Sequence, residues 1–154
     1  SGGLEVGVDL AHGVFELSQR PIDPARCSER VRDPACGAIT TFTGTTRATN
    51  RGRQVVRLEY EAFEEMTGAE MARIFVRCRG KVATSPERGL RMLVQHRIGT
   101  VGVGELSVAI AVASPHRDAA FAACRFLIDE LKKSMPIWKK EIYADGEEWI
   151  GERS

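Results

Sequence analysis

No C-x-x-C pair occurs among the four cysteines, Cys27, Cys36, Cys78 and Cys124, and the three histidines are not spaced as metal partners. A structural zinc site and a dithiol redox motif are therefore not expected. The cysteines read as free thiols of a reducing compartment, the cytoplasm. Cys124 falls on an apolar helix face, which suits packing better than nucleophilic catalysis. No apolar run is long enough to span a bilayer. An excess of one charge is missing as well. Lys and Arg number 22 against 21 Asp and Glu, so the net charge of +1 gives no global field that selects nucleic acid or a membrane surface. Aromatic residues make up only 6% and sit mostly at core periods, which leaves no stacking face for RNA. Gly99, Gly102 and Gly104 tempt a phosphate-cradle reading. No Gly-Lys-Ser/Thr accompanies them and a strand follows, so they read as a hairpin turn.

What remains is an ordinary globular balance, 43% hydrophobic and 28% charged, in a chain of 154 residues. That length suits one domain over 1–154. Ser1-Gly2-Gly3 has the look of a cloning or processing remnant. No repeat, low-complexity tract or linker interrupts the chain.

Taken in order, 4–10 alternates as a strand and 21–33 reads as a short helix closed by Pro34. The run AITTFTG at 38–44 reads as a buried strand, and 44–52 as a polar, basic loop. In 55–63 the spacing puts Val56, Leu58 and Tyr60 on one side of a strand. Thr67 with Glu70 fits a capping box for a helix over 67–79 with Met71, Ile74, Phe75 and Cys78 inward. Strands over 90–98 and 105–113 follow. The second has Leu106, Val108, Ile110 and Val112 on one face and small residues on the other, where a helix can pack closely. Next comes a helix with Ser114 as N-cap, Pro115 just inside, and Phe121, Cys124, Leu127, Ile128 and Leu131 on its apolar face. Pro136 ends it, and 137–142 reads as a last strand before an Asp145-Gly146 turn. Strands joined by short turns imply antiparallel pairing, so the class is α+β.

Positive charge gathers locally. Arg47 follows the strand over 38–44, His116 and Arg117 open the last helix, Lys132 closes it, and Lys139 and Lys140 lie just beyond. A helix N-terminus favours anions. Lysines at a helix C-terminus also suit the dipole alone. Arg51 and Arg53 read as a solvated loop tip. The last helix is roughly 25 Å long at 1.5 Å per residue, so its two ends cannot share one small site unless a neighbouring subunit or the returning chain closes the gap.

The runs TFTGTTR at 41–47, LEYEAF at 58–63, HRIGTVGVGE at 96–105, SPHRDAAF at 114–121 and LKKSMPIWKKE at 131–141 together resemble the large, catalytic subunit of molybdopterin synthase. The resemblance implies an α/β-hammerhead-like α+β fold, mostly antiparallel, with packed helices and a small hairpin subdomain. It implies a sulfurtransferase of molybdenum cofactor biosynthesis that makes the dithiolene of molybdopterin from cyclic pyranopterin monophosphate. Sulfur would come from the thiocarboxylated C-terminus of a small ubiquitin-like subunit, in a heterotetramer built on a central dimer of large subunits. Beyond the pterin substrate and this donor, no cofactor and no metal is implied. The family's substrate positions fall on Thr45, Thr46, Arg47, His116, Arg117, Lys132, Lys139, Lys140 and Glu141, with Arg153 a looser match. Its essential lysines match Lys132 and Lys139. A neighbouring subunit would bring in Arg47 or the His116–Arg117 pair. The competing reading is a non-catalytic module that holds a ubiquitin-like sulfur carrier. Such a module would have lost one or more of these cations, and all are present.

Overall fold

The computed structural model describes residues 4–7, 9–82 and 89–151. In chain order these form β1 (Glu5–Val6), β2 (Val14–Ser18), α1 (Pro24–Val31), β3 (Ala38–Thr45), β4 (Thr49–Asn50), β5 (Arg53–Ala62), α2 (Glu64–Val82), β6 (Arg91–Arg97), β7 (Gly99–Gly102), β8 (Leu106–Ser114), α3 (Arg117–Ser134), β9 (Ile137–Tyr143) and β10 (Glu148–Gly151). One sheet runs β1-β2-β6-β8-β3 and the other β10-β9-β5-β4, with β7 also paired to β5. All pairings are antiparallel except β2 with β6. This is the α+β architecture that short connections imply.

The main core joins both sheets to α2 and α3. Val108, Ile110 and Val112 of β8 share one buried cluster with Leu127 of α3, which packs on β8, and with Ile74 and Phe75 of α2, which packs on α3. The opposite face of β8 is small, and Ala109, Ala111 and Ala113 take Cys27 and Val31 of α1. The pattern of large and small residues along β8 thus decides which helix lies on which face.

Several local expectations are corrected. The strand over 38–44 is not buried: β3 is the outer strand of its sheet, with Ile39 43% exposed. Its β-branched run encodes extended backbone, and burial depends on what lies beside it. In β5 it is Val55, not Val56, that faces inward, because the register slips between Val55 and Arg57 and residue 56 bulges out. Helix α2 starts at Glu64, ahead of Thr67, with Glu64 and Glu65 in its first turn. Thr67 is no N-cap; its Oγ1 donates to the Phe63 carbonyl at 2.6 Å. Ser114 stays in β8, paired with Ala38, so the N-cap of α3 falls to His116, whose side chain makes no capping bond. The glycine turn at 99–104 contains a strand, β7, that leaves the first sheet and pairs with β5 of the second.

On α3, Leu127 is fully buried but Phe121 is 63% exposed; Ala119, Ala120 and Ala123 take the inner positions near the N-terminus. Leu127→Ala is therefore expected to cost about 2–5 kcal/mol in urea unfolding. Phe121→Ala should stay within about 0.5 kcal/mol. Equal costs would contradict the packing face assigned to α3.

Beneath the second sheet His96 is buried, with its ring edge-on to Tyr60 at 5.0 Å. Its Nδ1 lies 2.7 Å from the Arg97 carbonyl, an acceptor, so this nitrogen carries the proton. Burial first, then the charge of Lys132, holds the imidazole pKa down to about 4. Between pH 6.5 and 4 the unfolded chain binds a proton there and the folded chain does not. Stability contributed by this site falls as pH drops through that window, by up to about 1.4 kcal/mol per pH unit. His96→Phe is expected to flatten that slope in urea unfolding measured across pH. An unchanged slope would show that His96 charges freely in the folded state.

Candidate functional site

The site begins with a tight hairpin. Asn50 pairs with Arg53 across β4 and β5, leaving Arg51 and Gly52 as a two-residue loop. Both have positive φ, 53° and 76°, as the commonest two-residue hairpin turn requires. That turn folds the polar segment after β3 back over β9. Arg53 is no solvated tip. It pairs with Asp145 and Glu147, each at 2.9 Å, and its guanidinium lies 3.9 Å over the Tyr143 ring. Asn50 Nδ2 donates to Glu141 at 3.1 Å and to the Tyr143 hydroxyl at 3.2 Å.

Under this hairpin lies a cavity of about 350 Å³. It gathers the end of β3, the hairpin, the inner face of β5 and β9, and the C-terminal turn of α3. Thr45, Thr46, Arg47, Lys132, Lys139 and Glu141 line it together. Strand alternation does the sorting. Lys139 and Glu141 point in, and Lys140 between them turns away to pair with Glu148 at 3.4 Å. Lys132 arrives from another element because α3 stops just before Pro136 and the chain reverses into β9. The helix macrodipole also favours a cation at that end.

The electrostatics are local. Glu141 is 5% exposed, accepts from Asn50, and lies 3.8 Å from Lys139. Its carboxylate thus offsets part of the lysine charge. Burial, and then the charge of Lys139, lowers the pKa of Lys132 below the ordinary lysine value. Tyr60 forms the floor, hydrogen-bonded to Ser107, with its phenol pKa raised by burial. Ser107 donates in turn to the Gly44 carbonyl at 3.3 Å. The Thr46 hydroxyl is buried without a hydrogen-bond partner. Burial pushes the thiols of Cys78 and Cys124 up to about 12 and 11, far from the thiolate range that nucleophilic catalysis needs. Among the described residues no group of three or more His, Cys, Asp or Glu side chains could hold a metal.

The structure does not bring all the expected residues together. His116 and Arg117 stand at the opposite end of α3, about 22 Å along the axis from Lys132. His116 lines a separate groove with Lys81, Asp118, Arg125 and Phe126. Arg153 lies outside the described residues. Sequence reasoning missed Asn50, Tyr60, Ser107, Tyr143 and Trp149 as cavity residues. The period-two pattern of β5 pointed Tyr60 inward. No local signal marks Asn50, whose role comes from a partner 91 residues away.

Residues 17–134 match the family model described as "MoaE protein". The molybdopterin synthase catalytic subunit of Bacillus subtilis is 43% identical over 139 residues, 90% of this chain and 85% of that protein. Its counterpart in Oryza sativa subsp. indica is 48% identical over 141 residues, 92% of this chain and 70% of that one. The crystal structure of molybdopterin synthase from Staphylococcus aureus superposes with a TM-score of 0.80 at 34% identity, covering 89% of this chain and 96% of that one. The motif series, the sheet order and these likenesses agree, and the chain belongs to the MoaE family of molybdopterin synthase catalytic subunits.

Proposed function

We propose that the chain is the sulfur-transferring subunit of a molybdopterin synthase. It would take sulfur from the thiocarboxylated C-terminus of a small ubiquitin-like partner and deliver it to cyclic pyranopterin monophosphate. The observation that carries the reading is the meeting of Lys132 and Lys139, from different elements, with Arg47 in one cavity. Both the substrate phosphate and the donor tail are anions. A chain of net charge +1 must bind them through local cations.

Arg47 suits the phosphate, since its guanidinium can grip two oxygens at once. Lys132, whose pKa is lowered by burial and the charge of Lys139, gives up its proton more readily than an ordinary lysine and suits proton transfer. Lys139, fixed beside Glu141, is suited to stabilise charge that develops on the thiocarboxylate carbonyl. The thiocarboxylate sulfur forms its new bond to a carbon of the pterin side chain as the carbon–oxygen bond at that carbon breaks, and the displaced oxygen takes up a proton and leaves as water or stays on the phosphate. Water then attacks the donor carbonyl, the acyl–sulfur bond breaks, and the carrier leaves as a carboxylate. No outside oxidant or reductant enters. Water exclusion is left to the docked carrier tail, because the cavity is open in the free chain.

His116 and Arg117 serve the same reaction from a second copy of the chain, since one copy holds them about 22 Å from Lys132. The assembly follows: two copies at the centre and one carrier on each. The free thiols fit a cytoplasmic setting.

A single-turnover assay tests this. The protein is mixed with thiocarboxylated carrier and cyclic pyranopterin monophosphate, and the carrier is followed by mass as sulfur gives way to oxygen. Lys132→Ala and Lys139→Ala are each expected to slow sulfur loss by about a hundredfold or more. Lys140→Ala, whose amine pairs outside the cavity, should stay within about twofold. Carrier binding without sulfur loss in the unmodified protein would make this chain a binding module. Turnover that survives both lysine substitutions would move the chemistry elsewhere.

A further inference from the structure

The cavity wall is polar and charged, yet it includes a half-exposed indole that the sulfur chemistry does not use. Strand β10 pairs with β9 so that Trp149 lies opposite Glu141 and Gly151 opposite Lys139. Directly opposed residues project to the same side of a sheet, so Trp149 shares the cavity face with both charged groups. Gly151 fixes the ring. A Cβ built there would lie 2.5 Å from Cζ3 and 2.6 Å from Cη2 of Trp149, so the benzo edge of the indole rests directly on the glycine backbone. The ring is thereby carried along the strand into the row that holds Lys139. Trp149 nevertheless keeps 45% of its surface exposed while lining the cavity.

The other aromatic rings of the wall are occupied. Tyr60 is 7% exposed and set edge-on to His96. Tyr143 is 5% exposed and covered by Arg53. Among the described lining residues, Trp149 alone offers an aromatic surface to a ligand. A large ring seated by a glycine, open to solvent and flanked by cations, is suited to a flat heteroaromatic ligand that also carries an anion.

We propose that Trp149 is the platform for the fused heteroaromatic ring of the substrate, and that Gly151 holds that platform in its orientation. The inference rests on the functional reading above and adds a specificity residue to it. Recognition is divided: the cations take the phosphate, and the indole takes the flat ring.

Equilibrium binding of cyclic pyranopterin monophosphate to the full chain tests this, with inorganic phosphate and the carrier as separate probes. Trp149→Ala is expected to weaken the pterin by about tenfold or more. Trp149→Phe should retain most of the affinity, and neither variant should alter binding of phosphate or carrier. Gly151→Ala keeps the tryptophan but pushes its ring aside, which a surface side chain permits without unfolding. It should weaken the pterin at an unchanged melting temperature. Undiminished pterin binding in Trp149→Ala would overturn the proposal. So would a parallel loss of carrier and phosphate binding, which would mark a structural role. If the unmodified chain bound no pterin, the functional reading itself would fail first; if it bound and Trp149→Ala bound equally, only the platform would fail.

Discussion

A buried carboxylate that ties the β4–β5 hairpin to β9 organises the site. Glu141 is 5% exposed, and an isolated carboxylate at such a position would be costly. Asn50 hydrogen-bonds it from the β4–β5 hairpin, and Lys139 approaches to 3.8 Å along the same strand. Tyr143 extends the network by accepting from the same Asn50 amide. Meeting the needs of Glu141 therefore folds the hairpin onto β9. That contact in turn closes the wall bearing Arg47 over the two lysines. Arg53, held by Asp145, Glu147 and the face of Tyr143, braces the hairpin from its outer side.

The charge count inside the cavity follows from this arrangement. Arg47, Arg51, Arg53, Lys132 and Lys139 line it with a single carboxylate, and among the described residues only Arg53 is paired with acids outside the lining, in a chain whose overall charge is +1. An anion entering the site completes a set of cations that the protein alone leaves underbalanced. At Lys132 burial and the charge of Lys139 both act against the charged form. The price is a site that repels itself when empty, and the network around Glu141 offsets part of that repulsion.

Much of the fold could be read from local pattern. Helix α3 ends where Pro136 forces it to, β8 carries its two faces in alternating large and small residues, and the β9 strand follows at once. Misplaced features share a physical origin in tertiary pairing. A bulge exchanged Val55 for Val56, and Ser114 was kept in the sheet by Ala38. Strand β7 left its hairpin for another sheet. At the site, Arg47, Lys132, Lys139 and Glu141 were legible through the motif series, and alternation explains why Lys140 turns out. Asn50 and Trp149 were not legible, because their roles depend on cross-strand partners far off in sequence. The separation of His116 and Arg117 from Lys132 was legible as helix length, and of the two ways to close it the returning strand β9 does not.

The central claim is that this cavity, and not the groove beside His116, receives the anionic substrate. A crystal structure of the chain with cyclic pyranopterin monophosphate bound tests it most directly. The account predicts ligand density between Arg47, Lys132 and Lys139, with Glu141 still held by Asn50. Ligand confined to the groove lined by Lys81, His116 and Arg125, with the hairpin cavity empty, would contradict it.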